Sequence, residues 1–203
     1  MDDLSRSDQS LVRRFNFLDH TRYDIFSTAT ILGCTLFSHI SKEQEEHIDF
    51  YLNNFYYIQD WSLDAHQQTH AADVAWLNRE IDTLAHSEPY RTVVVLTHHC
   101  PTIHLQASNP KHKDGNISPA FVADLSGESC WKRENVKLWA FGHIYVNCDF
   151  DKAGKRVVID QRGFYSALAE GFEFVCKEML KIFSANFDSL GLRRSIYQLQ
   201  TRI

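Results

Sequence analysis

The stretch Arg91–Pro101, RTVVVLTHHCP, decides how this chain is read. Thr92–Leu96 is a run of β-branched and aliphatic residues with no polar alternation, the pattern of a strand covered on both faces of a sheet. Pro101 cannot continue a ladder, so His98 and His99 fall where the strand stops and the chain turns. Polar groups just beyond the carboxyl ends of buried strands are where α/β proteins usually place their chemistry. Lys137–His143, KLWAFGH, repeats the arrangement as a second short apolar run ending in Gly-His. Two strand exits carrying histidine make His98, His99 and His143 the candidate functional residues.

Working outward, Thr28–Phe37, TATILGCTLF, reads as another strand, preceded by a turn over Asp24–Ser27, with Gly33 marking a close backbone approach. Ser41 and Gln44 fit a capping box and open a helix whose apolar side is Ile48, Tyr51, Leu52 and Phe55. Tyr56–Gln68 reads as a loop. Thr69 then caps a helix over His70–Ser87 with Val74, Leu77, Ile81 and Leu84 as one stripe. Beyond the central strand, Asn109–Asn116 reads as an exposed loop. A short helix is expected from Ser118-Pro119 to about Ser126-Gly127. Val146–Asp160 reads as a β-hairpin turning at Asp151–Lys155, and Phe172, Val175, Met179 and Phe183 mark a last helix. Strand, helix, helix and strand in that order predict an α/β sandwich.

The bulk properties exclude several classes. A chain of 203 residues can bury a real core, and its formal charge of −5 gives no electrostatic case for nucleic acid. The five cysteines are widely spaced, odd in number and never form a C-x-x-C pair, the pattern of reduced thiols in an intracellular protein. No apolar run approaches the roughly 20 residues of a membrane helix, and the polar start has no secretory h-region. The expected location is therefore cytoplasmic or nuclear. Cys100, beside the histidines, is a candidate nucleophile only if a base is aimed at its sulfur.

Neutral imidazole is a ligand for zinc, iron and manganese, and histidines on neighbouring strand exits can share a metal site. The remaining histidines, His20, His39, His47, His66, His70, His86 and His112 among them, read as surface or capping residues.

ILGCTLFS, DVAWLNREI, VVVLTHHCPT, LWAFGHIYVNCDF and VVIDQRGFY, in that order over about Asn16–Tyr165, resemble the calcineurin-like metallophosphoesterases, especially their fungal branch. The resemblance implies a sandwich of two β-sheets flanked by helices, two divalent metal ions (Mn, Fe or Zn) and hydrolysis of a phosphoester. It implies His98 and His143 as metal ligands. His99 is then the candidate catalytic residue, on the phosphate side of the site or behind the ligands.

The departures shape the expectation too. The family's Gly-His-x-His motif becomes Gly142-His143-Ile144-Tyr145, and no strand ending in Asp-x-His, no Gly-Asp and no Gly-Asn-His precedes His98. The chain therefore reads as the C-terminal part of such a domain over 1–170, truncated at its N-terminus, with a divergent helical tail over 171–203. Alone it is expected to be inactive, and sheet edges left bare by the missing strands would favour self-association. The alternative is a non-catalytic interaction module that keeps the fold without the chemistry. Nucleotide, phosphoprotein, phospholipid headgroup and small phosphodiester all stay open as the phosphoester substrate.

Overall fold

A computed structural model describes residues 17–40, 58–59, 61–107, 122–143 and 147–159. Six strands, β1 (Thr21–Phe26), β2 (Ala29–Cys34), β3 (Thr92–Thr97), β4 (Val136–Ala140), β5 (Cys148–Lys152) and β6 (Lys155–Ile159), form a mixed sheet in the order β1-β2-β3-β4-β6-β5. The inner four run parallel, and the edge strands β1 and β5 pair antiparallel with their neighbours. The fold is α/β with few helices. No helix among the described residues is long and apolar enough to cross a membrane.

The apolar run at β3 behaves as its composition requires. Val93 and Val95 join the large core on one face with Leu32, Trp139 and Val157, and Val94 packs on the other with Ile31, Leu138 and Val158. Helix α1 (Leu63–Ser87) covers the large core with Trp76, Leu77, Ile81 and Leu84. The close approach expected at Gly33 is present: a Cβ there would come within 2.4 Å of the Leu18 Cβ, as the residues leading into β1 cross the sheet. The hairpin is present as well. Ala153 (φ 51°) and Gly154 (φ 73°) form its tip, with the paired positive φ values of the turn that matches strand twist.

Four local expectations are corrected. Helix α1 begins at Leu63, where Ser62 Oγ accepts from the Ala65 amide at 3.1 Å, so 63–68 is helix and not loop. Thr69 lies inside it, donating its hydroxyl to the Ala65 carbonyl at 2.8 Å instead of capping. Asp24–Phe26 belongs to β1, which leaves only Ser27-Thr28 for the turn. Near Val122, where a helix was expected, the chain makes a parallel bridge to Cys100, and the next helix is the single turn α2 (Ser129–Lys132). Asn78 and Asp82 of α1 hold that turn through the Cys130 amide (2.9 Å), the Ser129 hydroxyl and Arg133 (2.6 Å).

The helix opened by Ser41, the loop at 109–116, Tyr145, the turn at 161–163 and the 171–203 tail with its helix lie outside the described residues.

Candidate metal centre

Parallel pairing of β2, β3 and β4 brings three strand exits side by side, and backbone bonds lace them together. The amides of His98 and His99 both donate to the Thr35 carbonyl just past β2, at 3.1 Å each. The Gly142 amide past β4 donates to the His98 carbonyl at 3.0 Å. Under them Trp139 Nε1 donates to Thr97 Oγ1 (3.0 Å), which in turn donates to the His99 carbonyl (2.9 Å).

On this lacing the three predicted histidines converge. His143 Nδ1 lies 2.8 Å from His98 Nε2, and the His99 ring stacks on that of His143 with centroids 4.5 Å apart. One ligand-capable atom from each of the three residues lies within 4.8 Å of the other two. His98 is solvent-exposed, His143 half-buried and His99 1% exposed, so the cluster has an open side and a floor. His143 reaches it from a backbone with φ 74°, a conformation that costs an L-residue roughly 1–2 kcal/mol and is held here by the surrounding structure.

Desolvation favours the neutral form of all three rings. Burial pushes the His143 pKa down to about 4, with nearby His98 adding to the effect. Burial, then His143 and His98, hold His99 well below the ordinary imidazole value, and partial desolvation lowers His98 too. A neutral imidazole has a lone pair to give, which is the state a metal ligand needs. Among the described residues no carboxylate belongs to the cluster.

The sequence reading missed what lies behind the floor. The segment after β2 bends at Leu36 (φ 54°) and carries Phe37, whose ring meets His99 at 5.5 Å and His66 at 5.1 Å. One face of α1 grips this segment. His66 Nε2 is 2.9 Å from the Ser38 carbonyl, Gln67 donates to the Ile40 carbonyl, and His70 Nδ1 contacts the Phe37 carbonyl. Buried Asp73 accepts from the Leu36 and Phe37 amides at 2.8 and 3.4 Å, and its other oxygen lies 2.5 Å from His20 Nε2. Only residue spacing hinted at this grip, since His66, His70 and Asp73 continue the Leu77–Ile81–Leu84 stripe toward the helix start while hydropathy gives no sign of it.

Cys100 is fully buried, donates to the Thr102 carbonyl at 3.1 Å and has its thiol pushed up to about 12 by burial. It is no thiolate nucleophile. Neither a family model, nor a curated protein, nor a solved structure matches the chain.

Proposed function

We propose that this chain is a metallophosphoesterase-type α/β domain whose strand-exit histidines bind divalent metal. The reaction class it would serve is metal-dependent phosphoester hydrolysis. The observation that carries the reading is the convergence of His98 and His143 from adjacent parallel strand exits, nitrogen to nitrogen at 2.8 Å. The two-sheet sandwich of that family, and a phosphoester as substrate, belong to the same proposal.

The residues that are present fit a metal but not a pair of metals. Two dications held side by side need anionic oxygen ligands to balance their charge and fix their geometry. The described cluster offers imidazoles alone. His98 and His143 would each give a lone pair, and a bound dication would polarise water or a phosphoryl oxygen. The lack of a carboxylate among the described residues of the cluster favours the second reading, a binding module that keeps the fold without the hydrolysis.

Calorimetric titration of the 203-residue chain with Mn²⁺ and Zn²⁺ tests the metal, with the His98→Ala/His143→Ala double variant as control. Binding that the double variant loses is the expected result. Binding that the double variant retains would overturn the site. Hydrolysis of a chromogenic phosphodiester by the loaded chain would favour the enzyme over the module.

A further inference from the structure

We infer that His98, His99 and His143 form a single-ion, all-nitrogen site for a zinc-class dication, with buried His99 as its third protein ligand. The inference rests on the metal-binding reading above, and departs from the pair of ions that the resemblance implies.

Geometry is the first support. Two nitrogens on one tetrahedral zinc, each at about 2.0–2.1 Å, stand about 3.3 Å apart. The three histidines already offer atoms within 4.8 Å of one another. The remaining adjustment is at most about 1.5 Å of ring movement, with the 2.8 Å His98–His143 pair opening slightly to admit the ion. The 2.8 Å contact between His98 and His143 needs one proton between two nitrogens. An ion takes the place of that proton, and each ring carries its N–H on the other nitrogen.

The second support is His99 itself. It is 1% exposed, and its Nδ1 has no hydrogen-bond partner among the described residues. Buried polar atoms are rarely left so, and a bound ion or ordered water is a common resolution. Either His99 nitrogen gains by it: one can bind the ion while the other takes a water, the usual pairing behind metal-bound histidine.

Chemistry supplies the third. Three neutral imidazoles leave one ion with a net charge of +2 and an open fourth position for water, the composition of catalytic zinc sites. Two ions would carry twice that charge with no anionic ligand in the described cluster. Imidazole suits zinc, copper, iron and nickel best, whereas magnesium, calcium and manganese prefer a larger share of oxygen ligands. Entry is open on the His98 side.

The test uses the whole chain, Zn²⁺, Co²⁺ and Mn²⁺ as probes, and the variant His99→Phe, which keeps a ring against His143 but removes both nitrogens. The expected result is one Zn²⁺ per chain, Mn²⁺ bound about 100-fold or more weaker, and Co²⁺ showing the intense visible bands of a four-coordinate ion. His99→Phe is expected to weaken Zn²⁺ about 100-fold while the far-ultraviolet dichroism stays that of the parent. Two ions per chain, weak six-coordinate Co²⁺ bands, or a folded His99→Phe that binds Zn²⁺ like the parent would each overturn the inference; loss of binding in His98→Ala alongside any of these would still keep the metal reading. Absence of binding by any of the three ions would overturn both. If His99→Phe does not fold, the ion count and the Co²⁺ spectrum of the parent still decide.

Discussion

The two ends of the parallel strands solve the problem of buried polarity in opposite ways. At the amino ends of β2 and β3 sits Arg91, 7% exposed and fully matched. Its guanidinium meets Glu88 at 2.5 Å, Asp24 at 3.5 Å, the Thr30 hydroxyl at 3.1 Å and the Ala29 carbonyl at 3.3 Å, and Arg22 closes the group through Asp24 and Glu88. Charges of both signs balance there, and no cation has a reason to enter. At the carboxyl ends the polar groups are neutral imidazoles with like tendencies and, among the described residues, no counter-charge. A matched cluster of both signs holds a fold together; a cluster of neutral lone-pair donors is the kind that the proposed cation would suit. The contrast favours the carboxyl end as the candidate site without appeal to any relative.

The largest expected effect separates the two ends by pH. Burial, as the first cause in each case, holds His66, His70, His99 and His143 below the ordinary imidazole value of 6.5. Each folded pKa is thus lower than the unfolded one, so the unfolded chain takes up protons that the folded chain refuses. Stability from these groups is complete above about pH 6.5 and is lost as pH falls toward their folded values, with a slope of at most about 1.4 kcal/mol per pH unit for each. The amino end stays silent in that window. Hydrogen bonds from Arg22 hold Asp24 and Glu88 below their ordinary 3.8 and 4.5, so their contribution goes only in stronger acid. Burial raises Asp73 above 3.8; its ionised form costs stability, a cost relieved as pH falls through its folded pKa, against the trend of the histidines. Thermal unfolding of the metal-free chain is expected to be level above pH 7 and to drop from pH 6.5 to 5. A Tm unchanged across that interval would mean that the carboxyl end is no more desolvated than the surface.

Next in size is Arg91→Met, which breaks the matched end alone. Removing one partner of a buried ion pair costs up to 3–5 kcal/mol. Here the carboxylates left behind reach water, so about 2–3 kcal/mol is expected, read from urea unfolding. Zn²⁺ affinity should stay within about twofold, because additive behaviour holds for sites that share no partners. A tenfold loss of metal affinity would show that the two ends are coupled through β3.

The strands from β2 onward and the three histidines were legible because their signals are local; β1 was not, since Asp24–Phe26 read as turn. An apolar run such as TVVVL specifies a doubly covered strand, and a histidine pair before Pro101 must sit at its exit. Neighbouring exits follow once the strands are taken as parallel. The start of α1 was not legible as a helix, since LDAHQQ lacks an apolar stripe and reads as polar loop. Its buried face is made of His66, His70 and Asp73, whose partners are carbonyls and amides of the segment after β2, some 30 residues earlier in the chain. Hydropathy records what prefers oil, and a polar grip on a backbone leaves no trace in it. The same limit hid the role of Asp73, which binds Leu36 in a conformation that only tertiary structure requires.

The smallest change in stability, and the most telling, is expected from Asp73→Ala. The carboxylate satisfies the Leu36 and Phe37 amides and the His20 ring, and its loss leaves the buried Leu36 amide without its acceptor, at about 1–2 kcal/mol. That amide belongs to the bend that sets Phe37 against His99 and presents the Thr35 carbonyl to His98 and His99. Loosening the bend frees the floor of the proposed metal centre, so Zn²⁺ affinity should fall about 10-fold, as when a residue orienting a ligand is removed. Asp73→Asn keeps an oxygen for the Leu36 amide and is expected to recover most of both losses. A merely structural Asp73 would lower Tm in the alanine variant and leave the affinity of the folded fraction unchanged; a positioning Asp73 moves affinity and stability together, and the asparagine variant restores them together. Equal Zn²⁺ affinity in parent and Asp73→Ala would confine the grip of α1 to the fold and leave the lacing at Thr35 as the only support of the site.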